Sequence, residues 1–100
     1  MQNKGVFKTR VRAWARKIGA DVQIISIRRM TNKWASYTQR NRLLIFNVEL
    51  LVMEKELSDY IIVHELLHSI VPNHGKLWKA LLSSYIPDWE MIDKKLRQNK

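Results

Sequence analysis

The chain contains no cysteine, so disulfides, a cysteine-based zinc site and a thiol nucleophile are all excluded. It also lacks a long apolar run. "LLIF" and "YIIV" are broken by polar residues well short of the roughly 20 positions a membrane span requires. The N-terminus "MQNKGVFKTR" has none of the apolar core of a secretory signal. These absences lead us to expect a cytoplasmic protein without a membrane partner. Acidic residues are scarce, with 9 Asp and Glu against 18 Lys and Arg, giving a formal charge of +9. Such an excess favours polyanions through phosphate contact and counterion release, so nucleic acid is a candidate partner. The cations are scattered along the chain, however, as on an ordinary solvated surface.

What remains is an ordinary globular composition, 46% hydrophobic and 27% charged over 100 residues. That length suits one domain spanning 1–100. Val6, Phe7, Val11, Trp14, Ala15 and Ile18 recur at helical spacing, and Gly19 offers a stop. "VQIISIRRM", residues 22 to 30, is rich in β-branched residues and reads as a strand. "KWASYT" and "RLLIFNV" flank the polar turn "TQRN" and read as a hairpin. From about Glu54 the period becomes helical, with Ser58 or Asp59 as candidate caps. Pro72 ends that helix by about Val71, a second runs from Lys76 to Tyr85, and a third from Asp88 to Arg97. The expected class is α+β: a small three-stranded, mainly antiparallel sheet packed on an N-terminal helix and a central active-site helix, followed by two C-terminal helices.

All three histidines fall within one window, "HELLHSIVPNH", residues 64 to 74. On a helix, residues four apart share a face, so His64 and His68 can present imidazoles to one ion. Glu65 lies about 100° around the helix, where it can reach a metal-bound water rather than the metal. This is the His-Glu-x-x-His arrangement of metal hydrolases, in which the glutamate serves as general base. Catalytic zinc takes three protein ligands and keeps one position open, so a third ligand is required. In a continuous helix His74 would lie about 9 Å further along the axis than His68. The break at Pro72 and the turn through Asn73 and Gly75 let it fold back. His74 is therefore the favoured third ligand; Glu90 on the last helix competes, with Asp88 a weaker version of the same idea. The histidine spacing equals that of metzincins, but their glycine is replaced by Val71 and no Met-turn follows.

Tyr60, one turn before His64, is a candidate for a hydrogen bond near the site, and Asn73 for fixing the turn or touching the outer shell. Trp34, Trp78 and Trp89 read as core. A second class of function stays open: a basic nucleic-acid-binding module whose metal only stabilises the fold, which would need four protein ligands.

"IRRMTNKWASYTQRNRLLIFNVELL" followed by "DYIIVHELLHSIVPNHGKLWKALLSSYIPDWEMIDKKL" resembles the YgjP-like metal-dependent hydrolases, relatives of the SprT-like and WLM zinc peptidases. The most specific elements are "DYIIVHELLH" and "NHGKLW" at their separation, with "KWAS" before and "PDW" after. The resemblance implies a zincin-type fold, a minimal catalytic core, Zn2+ held by His64, His68 and His74, Glu65 as catalytic base, and a peptide or protein substrate. Where the family commonly reads Arg-Trp-Gly-Ser-Cys, this chain has Lys33, Trp34, Ala35, Ser36 and Tyr37.

Overall fold

The computed structural model describes residues 2–71 and 73–98. Helix α1 (Lys4–Ile18) opens with the Asn3 side chain accepting the Val6 N–H at 2.8 Å. It closes at Gly19, whose φ of 84° is the left-handed conformation that glycine adopts without strain. Phe7, Val11 and Ala15 form its buried stripe, and the Phe7 ring meets Phe46 of the sheet edge-on at 5.3 Å. The helical period in the sequence placed this face correctly except at Val6, which is 48% exposed.

Three strands follow: β1 (Ile24–Arg28), β2 (Ala35–Thr38) and β3 (Leu43–Asn47). β2 and β3 make the antiparallel hairpin expected from the turn residues, with Arg42 in the left-handed region at φ 53°. The sheet order is β1-β3-β2, and β1 pairs parallel with β3. The α+β class is as expected, but the sheet is mixed rather than mainly antiparallel. Asn47, 1% exposed at the end of β3, supplies much of the reason. Its side-chain amide donates to the carbonyls of Met30 and Lys33, holding the segment that leaves β1 across the end of β3 so that β2 pairs on the far edge. Its carbonyl oxygen accepts the Glu49 N–H and starts a 3-10 turn at Val48–Leu51.

Helix α2 (Lys55–His68) runs through the centre and touches α1, β2, α3 and α4. Leu57 through Val63, Leu66 and Leu67 are buried, so apolar contact surrounds it and dominates its stability. Its first residue follows Glu54, and the expected caps Ser58 and Asp59 lie a turn inside, buried. They face α1 instead. Arg10 donates to Ser58 and pairs with Asp59, which also accepts from Trp14 Nε1 and Lys55 Nζ. Burial pushes the Asp59 carboxyl up, but the bonds from Arg10, Lys55 and Trp14 outweigh it and hold the group below its ordinary 3.8. Removing one partner of such a buried pair strands the other charge. Asp59→Ala is accordingly expected to cost about 3 kcal/mol in urea unfolding at neutral pH. Because the folded carboxyl titrates below the unfolded one, its contribution is present above about pH 4 and fades as acid takes pH through the folded value. The gap between wild type and variant should therefore close in acid; a gap unchanged down to pH 2 contradicts this account.

Helices α3 (Lys76–Tyr85) and α4 (Trp89–Gln98) complete the fold, each laying an apolar stripe on α2. Ile92 and Leu96 are the buried residues of α4. Among the described residues no helix is long and apolar enough to cross a membrane.

Candidate metal centre

The active face of α2 is its C-terminal half. His64 and His68, one turn apart, stand edge to face with ring centroids 4.8 Å apart. The helix ends at His68, capped at Ser69, and the Val71 N–H turns back to the Leu67 carbonyl at 2.8 Å. Pro72, which the sequence singled out as the breaker, lies outside the described residues. Beyond it Asn73 accepts the Gly75 N–H at 2.9 Å, closing a tight turn that starts α3. A Cβ at Gly75 would fall 2.7 Å from that Asn73 oxygen and displace it. Asn73 thus fixes the turn.

This turn swings His74 back over α2. Its Nε2 lies 2.9 Å from His68 Nε2, and its ring is 5.4 Å from that of His64. One ring nitrogen from each of His64, His68 and His74 falls within 4.8 Å of the others. Two nitrogens bound to one tetrahedral zinc at roughly 2.05 Å sit about 3.3 Å apart, close to the His68–His74 spacing. Burial, reinforced by the neighbouring His64, pushes the His68 and His74 imidazoles below the ordinary histidine value. They are thereby held neutral, the form in which histidine binds metal. The donor set and its geometry fit a divalent ion of the imidazole-binding kind.

Glu65 is not one of the three. Its Oε1 lies 3.7 Å from His64 Nδ1, with the side chain only 16% exposed. It opens into a cleft of about 340 Å³ that Trp34, Ala35 and Ile61 line. Glu90 does not join the histidines: it is exposed and borders a second cleft of about 400 Å³ beside His64 and His74. Asp88 borders a different cleft, with Glu54 and Met91. Tyr60 packs its ring 5.7 Å from His64, but its hydroxyl donates to Asp93 on α4 at 2.8 Å. Burial and that carboxylate push the phenol well above its ordinary value, so it stays a protonated donor. Asp93, raised by burial but lowered more by Arg97 and Tyr60, stays ionised.

Asp93, Arg97 and Trp78 border the centre without having been singled out for it by the sequence. Asp93 and Arg97 line both clefts with Tyr60 and His64. Nothing local in the sequence marks them, since Asp93 meets Tyr60 across 33 residues. Trp78, read as core, is core at 3% exposure, yet its ring lies against all three histidines. Its signal was its place in the first turn of the helix that follows His74.

The profile of a family described as YgjP-like, metallopeptidase domain, matches residues 1–99. Among solved structures, the chain is similar to the metallopeptidase zymogen of Methanocaldococcus jannaschii jannalysin, with 28% identity and a TM-score of 0.82 over 92% of this chain and 94% of that one. It shares the fold of the metallopeptidase zymogen of Pyrococcus abyssi abylysin, with 16% identity and a TM-score of 0.80 over 92% of each chain. No match is found among curated proteins.

Proposed function

The chain belongs to the YgjP-like metallopeptidase family, and from that premise we propose that it is a zinc peptidase in which His64, His68 and His74 hold the metal and Glu65 is the general base. The observation that carries the reading is the convergence of three imidazole nitrogens within 4.8 Å beside a half-buried glutamate. Zinc held by these three histidines would supply Lewis acidity, lowering the pKa of a water and polarising a carbonyl. Glu65 takes the proton of the attacking water as the carbon–oxygen bond forms, and returns it to the leaving nitrogen as the peptide bond breaks. Restricted solvent around its carboxylate strengthens these short-range interactions. Tyr60, tied to Asp93, stiffens the turn of α2 that carries His64.

An extended peptide needs an edge to pair with. β3 is central; β2 is an edge, and its first residue Ala35 lines the Glu65 cleft. A substrate strand added along β2 would carry its backbone past the glutamate.

The rival reading, a structural metal in a nucleic-acid-binding module, needs a fourth protein ligand. The group at this centre among the described residues has three. The test is cleavage of an unfolded protein by the zinc-loaded chain, before and after chelation. Cleavage should vanish with the metal and return with added zinc; no cleavage, or cleavage indifferent to chelation, overturns the proposal.

A further inference from the structure

Metal-bound histidines usually donate their second ring proton to a carboxylate or a backbone carbonyl, and that bond fixes each ring's orientation. Here that support is thin. Among the described residues, the hydrogen bond of His68 and His74 joins their two Nε2 atoms and no carboxylate or carbonyl accepts from their Nδ1, while the nearest carboxylate to His64 is Glu65 at 3.7 Å from Nδ1. The three rings share an aromatic wall instead.

Trp78 supplies it. Its ring centroid lies 4.3 Å from His74, 5.0 Å from His64 and 5.5 Å from His68. The contacts differ in kind: stacked on His68 at 28°, edge to face with His64 at 83°, tilted on His74 at 50°. Each therefore limits a different ring rotation. Among the described residues the indole Nε1 is buried without a hydrogen-bond partner, so packing holds the ring in place. Trp78 also sits in the first turn of α3, the helix that begins two residues after His74, and so anchors the segment that delivers the third imidazole.

We propose that Trp78 is a positioning residue for the metal centre, orienting three imidazoles by ring packing where hydrogen-bonded carboxylates do so in other proteins. The inference rests on the reading of the histidines as ligands. A purely structural tryptophan predicts something different: its loss would lower the stability of the metal-free fold but leave the zinc affinity of folded molecules alone.

The measurement is the zinc dissociation constant by competition with a chromophoric chelator, alongside far-UV circular dichroism of the metal-free chain. Trp78→Ala should bind zinc about 10- to 100-fold more weakly, the loss typical of removing an outer-shell support. If the alanine variant does not fold, Trp78→Leu, which keeps bulk but no ring, takes its place with the same expectation. Trp78→Phe should stay within about threefold of wild type, because a ring remains and the lost N–H has no partner among the described residues. A folded alanine or leucine variant with wild-type affinity overturns the proposal. So does a phenylalanine variant as weak as the alanine one, which would assign the effect to the N–H. Wild type that takes up no zinc would instead sink the ligand assignment, and this inference with it.

Discussion

Glu65→Gln is expected to lower kcat for peptide cleavage by about a thousandfold, within the range that a positioned general base contributes, with zinc content unchanged. Glutamine keeps the shape and the hydrogen-bonding oxygen but cannot take a proton at neutral pH. Glu65 lies around the helix from the histidine pair and contributes no atom to the three-nitrogen group, so the metal should not register the change. Its oxygen 3.7 Å from His64 Nδ1 places it beside the centre, and its side chain is only 16% exposed. Steady-state rates on an unfolded protein substrate, with zinc stoichiometry measured on the same preparations, give the comparison. Activity within a few fold of wild type would remove Glu65 from the role of general base.

The second large effect concerns the ligand set. His74→Ala should weaken zinc binding more than about 100-fold, since losing an outer-shell group alone costs up to that much. Cleavage should disappear with it. Glu90→Ala should do neither, because Glu90 borders the second cleft and stands outside the converging nitrogens. The turn that brings His74 home depends on Asn73 accepting the Gly75 N–H, a geometry no continuous helix provides. Zinc retained in the histidine variant and lost in the Glu90 variant would reverse the assignment.

Local chemistry made much of this legible in advance. Helical period located α1, α2, α3 and α4 to within a few residues, and the "TQRN" turn located the hairpin. The imidazole spacing and the break after α2 pointed to the three side chains that the fold brings together. What escaped was long-range. Alternation of apolar residues says that β1 is a strand but not which way it runs against β3; buried Asn47, bonding to the carbonyls of Met30 and Lys33, helps settle that. Ser58 and Asp59 looked like caps because their residue types favour helix starts, yet Arg10, 49 residues before Asp59, claims them for the contact between α1 and α2. The same holds for Tyr60 and Asp93. Trp78 was read correctly as core and missed as a wall of the site, because residue type cannot separate the two roles.

The central claim is that three histidines hold a zinc ion with one position left open, and X-ray absorption at the zinc edge of the loaded wild-type chain reads this directly. The expected spectrum has three imidazole nitrogens and one additional light-atom ligand at about 2.0–2.1 Å, with the imidazole scattering reduced in His74→Ala. Four protein ligands, or an imidazole count that His74→Ala leaves unchanged, would contradict the account.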